Sequence, residues 1–100
     1  MFEPVLPIAS LSEGDVVQVR VAGQELLVCQ VDGGFYAVDA RCSHAAQSLA
    51  HGRLAGFELK CPLHGASFDI RTGACTRAPA TAPIRTFPVI LDGGKVCIDV

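Results

Sequence analysis

Residues 15–21, DVVQVRV, alternate with a period of two: Val17, Val19 and Val21 fall on one face, and Val16, Gln18 and Arg20 on the other. That is the pattern of a half-buried strand. QELLVCQV (24–31) follows directly after Ala22 and Gly23, which predicts a hairpin. A second turn lies within VDGGFYAV (31–38), where Asp-Gly and Gly-Gly supply the positive φ angles that a tight hairpin needs. LDGGKVCIDV (91–100) repeats the device, joining IRTFPVIL to KVCIDV. The two DGG triplets mark two similar hairpins, and no larger repeat is visible.

Helix signals are weak. Only HAAQSLA (44–50) has the makings of a turn or two, and it lacks the length and caps of an independent helix. Glycines and prolines at 52, 56, 62, 65, 73, 79 and 83 punctuate the middle of the chain. The pattern predicts an all-β protein, a small antiparallel β-sandwich or barrel whose middle third carries two metal-binding loops.

One hundred residues, half of them hydrophobic and 18% charged, make one folded domain with a modest core. MFEPVLPIAS carries an acid and two prolines where a signal peptide needs a basic start and an unbroken apolar run, so the expected location is cytoplasmic. No run is long and apolar enough for a membrane span. The net charge of −2 is unevenly spread. Residues 41–77 hold Arg41, Arg53, Lys60, Arg71 and Arg77 against Glu58 and Asp69, about +3, while the remainder, with three basic and eight acidic residues, is about −5. Scattered solvated charge accounts for this; so does a metal-bearing end that docks to an acidic partner. Nucleic acid is not an expected partner, because there is no dense basic stripe and no tryptophan.

Five cysteines are an odd number, and a cytosolic chain keeps its thiols reduced. Metal binding is the better use for some of them. Cys42 and His44 sit two apart; sixteen residues later, Cys61 and His64 sit three apart. Two thiolates and two imidazoles suit zinc, copper or an iron–sulfur centre and disfavour magnesium and calcium. A tetrahedral zinc site accepts the set, and so does a 2Fe-2S cluster in which two histidines replace two cysteines on one iron. Spacing alone does not choose between them.

CSH, sixteen residues, CPLHG, then FD, TG and PATAP (79–83) together resemble the Rieske iron–sulfur family, most of all the small ferredoxins of bacterial aromatic-ring-hydroxylating dioxygenase systems. The resemblance extends over essentially the whole chain. It implies a basal β-sandwich of about residues 1–39 and 83–100 and a cluster-binding subdomain of about 40–82 formed by two loops. It implies one 2Fe-2S cluster per chain, with Cys42 and Cys61 on the inner iron and His44 and His64 on the outer iron near the surface. Pro79 to Pro83 resembles the loop that covers the cluster, and Gly65 marks a close backbone approach to it. The chain departs from the quinol-oxidising members, which have an extra disulfide-forming cysteine in each loop: Gln47 and Leu63 stand there instead. Ala66 stands where those proteins often have a serine that donates to sulfur, which predicts a potential toward the low end of the roughly −150 to +300 mV Rieske range. Ala45 and Ala46 replace a glycine and an acid of many relatives, which removes any carry-over of partner contacts at those two positions.

Of the remaining cysteines, Cys29 is expected to be a buried hydrophobe, Cys75 to be unliganded, and Cys97 to be unliganded and partly exposed beside Lys95 and Asp99. Phe35, Tyr36, Phe57, Phe68 and Phe87 read as packing. His51 reads as a solvent-facing loop residue. Once His44 and His64 are spent, His51 alone remains, so the chain cannot build the two-histidine, one-carboxylate iron site of a Rieske oxygenase. It also has no GxGxxG fingerprint for a nicotinamide cofactor. The expected role is therefore that of a monomeric one-electron carrier, not an enzyme. It takes electrons from an NADH-dependent flavoprotein ferredoxin reductase and gives them to a terminal Rieske oxygenase. The alternatives are a small subunit of another redox system, such as nitrite reductase, and a structural zinc module.

Overall fold

The described residues, 1–41, 48–62, 66–77 and 82–100 of a computed structural model, form eleven strands in three antiparallel sheets. The first sheet holds β1 (Phe2–Pro7), the second β2 (Val16–Val21), β3 (Gln24–Val31) and β4 (Gly34–Asp39). The third holds β5 (Arg53–Ala55), β6 (Glu58–Lys60), β7 (Ser67–Asp69) and β8 (Cys75–Arg77). β9 (Thr86–Phe87) then returns to the second sheet, and β10 (Val89–Asp92) and β11 (Lys95–Asp99) to the first.

The second sheet, in the order β2-β3-β4-β9, is the middle layer. β3 explains why. Its Leu26 and Val28 join one core with Val96 and Ile98 of β11, while Leu27, Cys29 and Val31 join another with Leu59 of β6 and Phe68 of β7. An uninterrupted apolar run, LLVC, is what a strand covered on both faces requires. β2 keeps the predicted alternation: Val17, Val19 and Val21 lie against the first core, and Val16 lies against the second.

All three predicted hairpins form, at residues 22–23, 32–33 and 93–94, each with both turn residues at positive φ. That geometry matches the twist of the flanking strands. The two DGG triplets are nevertheless used in different registers. Asp32 and Gly33 form the first turn, with Val31 opposite Gly34; Gly93 and Gly94 form the second, leaving Asp92 paired with Lys95. Glu13 accounts for the first choice, because its carboxylate accepts the backbone N–H groups of Asp32 (2.6 Å) and Gly33 (3.1 Å).

IRTFPVIL, read above as one segment, is split at Pro88. β9 pairs with β4, and β10 pairs with β11 in the other sheet. Proline has no N–H to give a ladder, so it marks the point where the chain changes sheets. Pro4 and Pro7 sit on β1, an edge strand with a register shift between Pro4 and Leu6, where the same defect is tolerated. In the stretch 44–50, residues 44–47 lie outside the described residues; Ser48 forms a bridge and 49–50 a bend and turn. Cys97 is buried at 6% exposure, not partly exposed as expected, because β11 is the central strand of its sheet, flanked by β1 and β10.

Candidate metal centre

Cys61, alone of the four expected ligands, lies among the described residues; Cys42, His44 and His64 do not, nor do Gly65 and residues 78–81. What the fold shows is how the roots of these segments are held. Cys61 follows β6, is buried at 3% exposure, and donates its N–H to the carbonyl of Ala66 at 2.6 Å. That bond closes the neck of the loop between β6 and β7. The other loop, 42–47, has a neck of the same kind: Arg41 bridges Ser48, and Leu49 donates its N–H to Ala40 at 2.7 Å.

Two glycines bring these necks together. A Cβ on Gly52 would stand 2.6 Å from the Lys60 carbonyl oxygen and 3.0 Å from that of Leu49, so only a glycine lets the exit of one loop cross the root of the other. Gly73, at φ 80°, would drive a Cβ into the carbonyl oxygen of Ile84. Ile84 donates its N–H back to Gly73 at 3.0 Å, which seats the chain returning from residues 78–81. The cross-strand register Lys60–Ser67–Arg77 sets the start of that segment beside the loop that follows Cys61. All three roots therefore converge on one end of the molecule. In the sequence both glycines are only punctuation; nothing in their local sequence reports a close approach between segments far apart in the chain.

The floor under these roots is apolar and closed. Leu49, Leu59, Ala66 and Phe68 are fully buried, with Ile70 at 1% exposure, and Tyr36 and Phe57 meet edge to face at 5.8 Å between ring centroids beside them. Arg71 stacks over Phe57 at 4.0 Å while its guanidinium holds Asp69 at 2.9 and 3.1 Å. The side-chain hydrogen bond from Arg71 holds the Asp69 carboxyl below its usual range, against a smaller opposing effect of burial. Phe68, Phe57 and Tyr36 serve as packing, as expected.

Beside Cys61 opens a cleft of about 470 Å³, whose described lining is His51, Arg53, Lys60, Cys61 and Pro62. His51 is exposed, as expected, and its place in this cleft sets it near the root of the Cys61 loop. Among the described residues no three His, Cys, Asp or Glu side chains gather as a metal site. Two further cysteines belong to or pack against the same core as Cys61. Cys29 is fully buried in the second core, where burial pushes its thiol up to about 12. Cys75 is half-buried on β8, with its sulfur 3.3 Å from the Arg77 carbonyl oxygen.

Comparison with known proteins identifies the arrangement. The family profile described as the Rieske 2Fe-2S domain matches residues 1–88. The chain belongs to the Rieske 2Fe-2S family. It is 45% identical, over 89% of its length and 86% of the relative's, to the ferredoxin component of a naphthalene 1,2-dioxygenase system from Pseudomonas aeruginosa. Its fold superposes on the Sphingomonas yanoikuyae B1 ferredoxin with a TM-score of 0.94 and 38% identity, covering 100% of this chain and 99% of that one. It also matches a chain in the complex of reduced oxygenase and oxidised ferredoxin in carbazole 1,9a-dioxygenase, with a TM-score of 0.91, 33% identity, and coverage of 97% and 91%.

Rieske membership implies one 2Fe-2S cluster per chain, and the described residues fit it. A buried thiol stands at the neck of a loop, over a buried apolar floor, at an end of the fold where three chain segments are pinned together. Ala66 brings no hydroxyl, and Ser67, in register with Lys60 and Arg77, lies on the face of the sheet opposite Phe68. Ser67 is nonetheless buried, at 5% exposure.

Proposed function

We propose that this chain is a one-electron carrier of an aromatic-ring-hydroxylating dioxygenase system, taking electrons from an NADH-dependent flavoprotein reductase and passing them to a terminal Rieske oxygenase. The observation that carries the reading is the 45% identity to a dioxygenase ferredoxin over nearly the whole chain. In this reading Cys42 and Cys61 hold the inner iron and His44 and His64 the outer iron. The bound cluster supplies a centre that gains and loses a single electron. Residues about 40–82 form the cluster-binding part, and 1–39 with 83–100 the base.

The protein's own part is to hold and shield. The bond from the Cys61 N–H to Ala66 fixes the thiol at the loop neck, and Leu49, Leu59 and Phe68 exclude water beneath it. Histidines near solvent shorten the path to a partner's centre. No helix among the described residues is long and apolar enough to cross a membrane. In the proposed reading the carrier works as a cytoplasmic monomer.

The test is reconstitution with a flavoprotein ferredoxin reductase, NADH and the terminal oxygenase of a naphthalene-type system. Product formation that requires this chain, and that is lost in His64→Ala, is the expected result. A loaded chain that the reductase reduces but that never reoxidises on the oxygenase would overturn the assignment.

A further inference from the structure

The third sheet carries a row of cations that pairing within the chain does not explain. Arg53 lies opposite Lys60, Lys60 opposite Ser67, and Ser67 opposite Arg77. Cross-strand partners share a face, so Arg53 and Lys60 project from one side of the sheet, in the row next to Cys61; the β7–β8 register shifts just after the Ser67–Arg77 pair, and Arg77 joins them in the groove that it lines with Lys60 and Ser67. All three are exposed. Arg53 and Lys60 line the cleft at Cys61, while Lys60 and Arg77 line the adjoining groove with Ala55, Glu58 and Ser67.

Like charges set directly opposite each other destabilise a sheet, and salt bridges are the ordinary remedy. Elsewhere the chain uses that remedy: Arg20 pairs with Glu25, Arg71 with Asp69 and Arg85 with Asp39. Among the described residues Arg53, Lys60 and Arg77 form no ion pair. The acids of this sheet are engaged one register further from the loops, where Glu58 accepts the Thr76 hydroxyl at 2.7 Å and Asp69 is held by Arg71. Arg41, exposed at the root of the other loop, adds a fourth cation to the same end. The chain as a whole carries −2, so it is an electrostatic dipole with its positive pole at the cluster end.

We infer that the Arg53–Lys60–Arg77 row is the docking surface for an acidic patch on a protein redox partner, and that it turns the cluster end of a net-negative chain toward that partner. The inference rests on the carrier reading above and supplies what that reading lacks, the sign of the partner's surface. Complementary charge speeds encounter and selects orientation, and salt screens it.

The experiment oxidises the reduced holoprotein with an anionic reagent, hexacyanoferrate(III), and a cationic one, hexaamminecobalt(III), across roughly 0.01 to 1 M salt, where the screening length falls from about 30 to 3 Å. The same protein is titrated with a hexaglutamate peptide at low salt. The expected result is that salt slows the anionic reagent and speeds the cationic one, the reverse of what the net charge dictates. Arg53→Gln/Lys60→Gln should slow the anionic reaction roughly tenfold at low salt and abolish peptide binding. Arg20→Gln/Lys95→Gln removes the same total charge elsewhere and should leave the direction of the salt effect and the peptide affinity unchanged. If salt speeds the anionic reagent in the unaltered protein, or the two double variants behave alike, the surface is overturned. A loaded protein that gives electrons to neither reagent yet binds the peptide overturns the carrier reading and leaves the surface standing.

Discussion

The middle strand β3 and the sheet β5–β8 are built on different principles. β3 spans eight residues, with Leu26, Leu27, Val28 and Cys29 all fully buried between two cores. Each strand of the third sheet is three residues long and rests on one apolar layer led by Leu59 and Phe68. The first region is held by its own side chains. The second adds to its single apolar layer the points where backbone crosses backbone, at Gly52 and Gly73, and whatever joins its loops. Metal binding to such a region is coupled to its folding, whereas the base has little to gain from it.

The largest expected break between the two regions comes from the proposed ligand Cys61. Cys61→Ala should lose the cluster completely, seen as absent iron and visible colour. Hydrogen exchange should then show lost protection at Leu59 and Phe68, with Val28 and Val96 still protected. Equal loss at Val28 would show that base and tip form one cooperative unit.

Packing gives the next contrast. Phe68→Ala empties the only fully buried aromatic position among the described residues and should cost about 3–5 kcal/mol in denaturant melts, against about 0.5–1.5 kcal/mol for Ile98→Val in the base. A smaller cost for Phe68 than for Ile98 would mean that the tip's core collapses to fill the gap.

Gly52→Ala tests the crossing alone, since the clash it creates is with the backbone oxygen of Lys60, 2.6 Å away, which no rotamer change relieves. The expected cost is about 1–3 kcal/mol together with weaker retention of iron. Unchanged iron retention would show that the two loop necks need no close contact.

The smallest effect is electrostatic, and it fades at low pH. Because Arg71 lowers the folded-state pKa of Asp69, this carboxylate's contribution is complete above the ordinary carboxylate range and is lost as pH falls through the lowered value. Arg71→Gln should therefore lower stability slightly at neutral pH, with the deficit shrinking as pH falls through the lowered value. A deficit that is absent at neutral pH, or that does not shrink on acidification, would show that the pair contributes nothing to folding.

What was legible in the sequence divides along the same line. The period-two valines of 15–21 and the Gly-containing turns at 23, 33 and 93–94 are local signals, and they produced the strands and hairpins expected of them. Pro88 was missed as a sheet boundary because a proline says that a ladder bond is absent, not which sheet comes next. The one-residue difference between the two DGG turns depends on Glu13, nearly twenty residues from the turn it caps. Cys42, His44, Cys61 and His64 stood out by residue type and spacing. The convergence of their loop roots depends on Gly52 meeting Lys60 and Gly73 meeting Ile84, contacts that no local window contains. Likewise, Arg53, Lys60 and Arg77 counted only toward regional charge until strand register set them in one row.

The central claim, a cluster held by two thiolates and two imidazoles that moves one electron, is tested most directly by a potentiometric titration of the anaerobically purified protein followed by electron paramagnetic resonance. The account predicts one electron per chain, a rhombic signal on reduction, and a midpoint toward the low end of the roughly −150 to +300 mV range. A midpoint near about −400 mV, as in four-cysteine plant-type clusters, or a colourless zinc protein silent on reduction would contradict it.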